Sequence, residues 1–130
     1  MKKIIGLLVV LALVAAACGD DAPAALDSCD AVADGTIDLV QNVIDELEKL
    51  TPAEFGALTQ EGTGNFPAFT PIAERGAELG LKTQELGCTD IDALVAERAD
   101  QLTGDPENAF SQLIIEGTRT GEDVMGRLFR

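Results

Sequence analysis

The sequence predicts an all-α domain: a small disulfide-stapled helical bundle of about four to six helices, with two long antiparallel helices as its backbone. Three observations lead there. Apolar residues recur at spacings of three and four along most of the chain, which is the period of an amphipathic helix. No segment sustains the strict alternation of a half-buried strand. Capping and stop residues punctuate the chain at helix-sized intervals, at Thr51-Pro52, Gly87, Thr89, Gly104 and Asp105-Pro106.

The first long helix is expected from about Asp27 to Leu50. Cys29, Val32, Ala33, Ile37, Val40, Ile44, Leu47 and Leu50 step by three and four into one stripe. Asp30, Asp34, Asp38, Asp45 and Glu48 line the opposite side, so one face is buried and the other solvated. Thr51-Pro52-Ala53-Glu54 then signals a restart: Thr51 caps, Pro52 suits the first helical position and Glu54 completes a capping box. That helix is short, to about Gln60, with Phe55 and Leu58 facing in, and Glu61 to Asn65 reads as a loop. The second long helix starts near Pro67 or Pro71 and ends near Gly87, with Phe69, Ile72, Ala73, Gly76, Leu79, Gly80, Thr83 and Leu86 as its stripe. Ala73, Gly76 and Gly80 would let a neighbouring helix come close. Each interior glycine costs about 1 kcal/mol against alanine, and tight packing is preferred over a hinge as the reason.

Thr89 is expected to cap a helix through about Thr103, with Ile91, Leu94, Val95 and Leu102 inward and Gly104 as its stop. Asp105-Pro106 should open another, with Ala109, Phe110, Leu113 and Ile114 as its apolar face and Gly117 and Gly121 as interruptions. In the segment from Val124 to Arg130, Val124, Met125 and Leu128 keep helical spacing. This segment is expected to dock on the helical core; the alternative is an exposed segment that binds a partner.

The chain of 130 residues carries 23 acidic and 9 basic side chains, a net charge of −14, yet 46% of it is hydrophobic. These properties are segregated. Met1-Lys2-Lys3 is a cationic start, and Ile4 to Ala17 is an uncharged apolar run. Fourteen residues at 1.5 Å each make a helix of roughly 21 Å, short of the roughly 30 Å hydrocarbon core of a bilayer. That pattern is an export signal rather than a transmembrane helix. Its end, Val14-Ala15-Ala16-Ala17-Cys18, resembles the lipobox of bacterial lipoproteins, with Ala15 where leucine is commoner. The resemblance covers residues 1–18 alone. It implies a diacylglycerol on the Cys18 sulfur, cleavage before Cys18, and anchoring at the outer face of the cytoplasmic membrane, or in an outer membrane where the envelope has one. Ala15-Ala16-Ala17 also satisfies the rule for ordinary signal-peptidase cleavage. The cysteine directly after the small residues, and the polar Gly19-Asp20-Asp21 after it, favour lipidation.

Cysteine parity points the same way. Three cysteines are awkward for an exported chain. With Cys18 acylated, Cys29 and Cys88 remain to pair, in a compartment that permits disulfides; two buried free thiols are the alternative. If the long helices run antiparallel, the start of the first and the end of the second meet. The expected organisation is residues 1–17 as signal peptide, 18–26 as lipidated N-terminus and tether, and 27–130 as the helical domain. Without residues 1–17, seven basic and 23 acidic side chains remain, a charge of −16.

Composition excludes more function than it suggests. With no histidine, there is no His general base, Ser-His-Asp triad or His metal ligand. The charge repels polyphosphate, so no nucleic-acid partner is expected. The Asp30/Asp34/Asp38 row lies on a straight helix face and cannot wrap a cation as a calcium loop does, so no metal site is expected. Neither serine sits in a nucleophile elbow, and Gly62-Thr63-Gly64 lacks the lysine of a phosphate loop. No cofactor and no enzymatic activity are expected. The reading is a lipid-anchored extracytoplasmic interaction or structural module at the cell envelope, held by membrane lipid through acylated Cys18, with a possible envelope protein as partner. The alternative is a small ligand-binding lipoprotein with a groove near Phe55, Phe66 and Phe69.

Overall fold

Ser28 opens the first helix: its hydroxyl oxygen accepts the Ala31 N–H at 3.1 Å, the bond expected of an N-cap serine. Helix α1 then runs Cys29–Glu48. The computed structural model describes residues 25–122. The expected export signal, the expected lipid attachment at Cys18 and the segment from Val124 to Arg130 lie outside the described residues. Within them the fold is all-α, with α2 at Pro52–Glu61, α3 at Thr70–Leu86, α4 at Ile91–Glu97 and α5 at Ala109–Arg119, and with short 3-10 turns between.

Helix α1 is the axis of the core. Val32, Ala33, Ile37, Leu39, Val40, Val43, Ile44 and Leu47 are all buried. The apolar stripe is therefore wider than expected, because Leu39 and Val43 flank it. A wide stripe suits a helix with neighbours on several sides, and α3, α4 and α5 all pack against α1. Helix α3 lies antiparallel to it. Cys29 is bonded to Cys88 with Cα atoms 5.6 Å apart, the Gly35 backbone meets Leu79, and Gly76 meets Leu39. As one residue number rises, its partner's falls. The expected staple and the two-helix backbone are both present.

The capping box before α2 is complete: Thr51 N–H donates to Glu54 Oε2 at 2.8 Å, and Glu54 N–H donates to Thr51 Oγ1 at 3.3 Å. The segment expected as a loop, Glu61 to Asn65, contains a 3-10 turn at Thr63–Asn65, and a second 3-10 turn at Pro67–Phe69, ahead of α3, delivers Phe69 into the core. Gly87 ends α3 in the left-handed region, at φ +65° and ψ +39°. The Cys88 N–H then reaches back to the Thr83 carbonyl at 3.0 Å, closing the helix end and holding Cys88 beside the start of α1.

Beyond this point five expectations change: the cap and the end of α4, and the start, the continuity and the buried face of α5. Thr89 does not cap α4; Asp90 precedes the helix and makes no side-chain cap bond. The helix also stops at Glu97 rather than near Thr103. Its continuation is drawn along α1 by three side-chain contacts. Arg98 donates to Asp30 and Asp34, each at 2.6 Å. Gln41 exchanges bonds with the Thr103 backbone, at 2.9 Å from its N–H and 2.8 Å to its carbonyl. Glu48 accepts the Asp105 N–H at 2.5 Å. A backbone satisfied by these side chains does not need helical partners.

Helix α5 likewise starts at Ala109, capped by Asn108, whose Oδ1 accepts from Phe110 and Ser111 N–H. Asp105-Pro106 forms a turn instead, in which Asp105 Oδ1 accepts the Glu107 N–H. Gly117 does not interrupt the helix; it is buried within it. The buried face is Ser111, Ile114, Ile115, Gly117 and Thr118, whereas Phe110 and Leu113 are 42% and 61% exposed. The rotation has a polar cause. The fully buried Ser111 donates its hydroxyl to Glu48 Oε1 at 2.7 Å, and Thr118 donates to its own helix at the Ile114 carbonyl at 2.8 Å. Both hydroxyls are satisfied, so both can sit in the core.

Candidate functional site

Helices α3 and α4 are joined by only four residues, 87–90, and each makes its main contacts with α1. The two bodies diverge, and the side of α1 between them is left uncovered by described residues. The result is an open cleft of about 500 Å³. Leu39 and Val40 of α1 form its floor. Ile72, Gly76, Leu79 and Gly80 of α3 form one wall, and Ile91 and Val95 of α4 the other. Thr118, Gly121 and Glu122 line it from the end of α5.

The small residues of α3 shape this wall. A side-chain Cβ built at Gly76 would make ordinary contact with Leu39 at 3.5 Å, and one at Gly80 would meet nothing within 4 Å. Ala73 and Gly80 are exposed. Among the described residues the close approach expected from Ala73, Gly76 and Gly80 is therefore made at Gly76, against Leu39 of α1, whereas the exposed Ala73 and Gly80 open onto the cleft.

The cleft is chemically apolar despite its three threonines. Thr36, Thr83 and Thr118 donate to the Val32, Leu79 and Ile114 carbonyls, each at 2.8 Å. Each hydroxyl proton is committed to its own helix, so none needs a partner in the cleft. Two carboxylates, Asp92 and Glu122, complete the lining. Among the described residues neither forms a salt bridge. Such a site offers hydrophobic contact and negative charge. A smaller, more polar hollow of about 280 Å³ lies against α1 and α3 beside Asp34, Asp38, Asn42 and Arg75.

The other candidate residues fall elsewhere. Phe69 is 2% exposed and belongs to the core, with Phe66 edge-on to it at a ring separation of 6.4 Å. Phe55 stacks at 4.0 Å against Phe110 of α5. These rings pack on one another, and neither hollow is lined by Phe55, Phe66 or Phe69. The acidic face of α1 is partly engaged: Asp30 and Asp34 hold Arg98, whose guanidinium pKa is raised further by those two hydrogen bonds. Among the described residues no group of three potential metal ligands is gathered together, and no helix is long and apolar enough to cross a membrane.

Fold and site together define a small helical domain with an open apolar cleft. Comparison with protein-family models, with curated proteins and with solved structures finds no match to this chain.

Proposed function

We propose that this protein is a lipid-anchored extracytoplasmic interaction module that uses the α1/α3/α4 cleft to take up the apolar face of a partner helix at the cell envelope. The cleft is the observation that carries this reading. It is open, apolar, and lined on one side by the small residues that let a helix backbone approach. The lipobox-like residues ending at Cys18 support the anchor, and the Cys29–Cys88 disulfide suits an oxidising compartment. Binding alone is proposed; no reaction is assigned. The second reading is a small apolar ligand. A volume of about 500 Å³ falls in the roughly 300–1,000 Å³ range of ligand pockets, which relocates the ligand site from the phenylalanines to this cleft.

A photoreactive residue placed at Gly80 in living cells tests both readings, with Gly64 as the exposed control. The interaction module predicts a polypeptide adduct at Gly80 that Gly64 does not give, and its loss from the membrane fraction in a Cys18→Ser variant. An adduct of small-molecule mass establishes the ligand reading instead. No adduct with any other molecule refutes both.

A further inference from the structure

We infer that the residues following α5, Val124 to Phe129, dock into the α1/α3/α4 cleft of the same chain and are its resident occupant. Connectivity comes first. Gly121 and Glu122, the last described residues, already line the cleft. Val124 is two residues further on, at most about 7 Å of extended chain. The end of α5 also turns rather than continuing straight. Gly121 is left-handed at φ +74°, and the Glu122 N–H reaches back to the Gly117 carbonyl at 2.9 Å. This closes the helix at the mouth of the cleft.

The segment has the chemistry the cleft lacks. Val124 and Leu128 are four residues apart in sequence, as are Met125 and Phe129, so a helix over this segment would carry the four apolar side chains on one face. That face matches an apolar floor of Leu39 and Val40, and the open side of Gly80 leaves room for a backbone beside it. Charge agrees as well. Arg127 within the segment and Arg130 directly after it are cations that follow a body of five basic and 20 acidic residues between positions 25 and 122. Asp92 and Glu122, which form no salt bridge among the described residues, stand at the cleft to receive them. A lipid acyl chain would use the floor but not the carboxylates, and a second copy would lack the two-residue tether. The consequence, which alone rests on the proposed function, is that a partner helix must displace the segment to enter.

Hydrogen exchange measured by mass spectrometry on the processed protein purified from cells tests the inference. In the unaltered chain, amides 124–129 should exchange at least about tenfold more slowly than an unstructured peptide. Gly80→Trp, which meets no described atom at its Cβ, should fill the cleft and return those amides to the unstructured rate while α1 stays protected. Leu128→Glu with Phe129→Glu should speed exchange in residues 72–83 and leave the Phe55–Phe110 side unchanged. Unstructured exchange at 124–129 in the unaltered chain overturns the inference, and so does protection that survives Gly80→Trp. Protection that grows with protein concentration also overturns it, because a second copy would then be the donor. The cell crosslink at Gly80 to another molecule is read separately, so either proposal can fail alone.

Discussion

Removing the staple should cost this domain much of its stability, and the size of the loss follows from where the cysteines sit. Cys29 and Cys88 are 59 residues apart. Cross-linking a loop of that length removes about 14 cal/mol/K of chain entropy from the unfolded state, or about 4 kcal/mol at 25 °C. A domain of the 98 residues from 25 to 122 unfolds with an entropy of about 0.2 kcal/mol/K. The double variant Cys29→Ser/Cys88→Ser should therefore melt about 20 °C lower, followed as far-UV circular dichroism on heating. Reductant added to the unaltered protein should reproduce the shift. Local structure predicts where the loosened state opens first. Cys88 is tied only to the end of α3 by its N–H bond to Thr83, whereas the start of α1 keeps a second clamp through Arg98 on Asp30 and Asp34. Amides near 83–90 should lose protection before those near 30–40. A drop of less than about 5 °C would refute the loop-entropy reasoning, since the cross-link would then barely restrict the unfolded chain.

The other predictions concern backbone space and one carboxylate. Gly104→Ala should destabilise by about 1–3 kcal/mol, because its Cβ would stand 2.9 Å from Ser111 Cβ, 3.2 Å from Glu48 Oε1 and 3.3 Å from Ile115 Cδ1. Gly56→Ala, in α2 with nothing within 4 Å, should stabilise by about 0.5–1 kcal/mol; urea titration of both variants checks the opposite signs. The Glu54 carboxyl is held below the usual carboxylate range by the Thr51 backbone N–H and hydroxyl. Its charged form therefore contributes stability that is present above the ordinary value, about 4.3, and is lost as pH falls through its lowered folded value. Melting temperatures of the unaltered chain and Glu54→Gln should accordingly converge between pH 7 and pH 3, and a gap that stays constant contradicts this account.

The elements that were legible in the sequence are those whose cause is local. Thr51, Pro52 and Glu54 specify the start of α2 within four residues, and Gly87 specifies the end of α3 by itself. The pairing of Cys29 with Cys88 needed only cysteine parity and the antiparallel order of two clear stripes. What was misread depended on partners far along the chain. Nothing near Arg98 announces that it will reach Asp30 and Asp34, so the early end of α4 was hidden. Ser111 and Thr118 are polar, so apolar spacing alone runs the α5 stripe through Phe110 and Leu113. Burial of Ser111 is decided by Glu48, 63 residues away. The cleft is half visible in the sequence: Ala73, Gly76 and Gly80 indicate a place of close approach, but periodicity does not say which element approaches.

That last ambiguity bears on function. Gly76 and Gly80 together cost α3 about 2 kcal/mol against alanine. At Gly76 part of the reason is Leu39, which lies in ordinary contact distance of an added Cβ. At Gly80 no described residue comes near enough to object to a methyl group. That glycine, in a helix wall beside an apolar floor and opposite Ile91 and Val95, borders space that the residues from 25 to 122 leave open. The intrachain segment and a partner helix both present what that space accepts, a backbone with an apolar face. They make different use of the carboxylates: Asp92 and Glu122 favour an occupant with cations beside its apolar residues, and Arg127 and Arg130 follow Glu122 at the cleft's rim by five and eight residues of sequence.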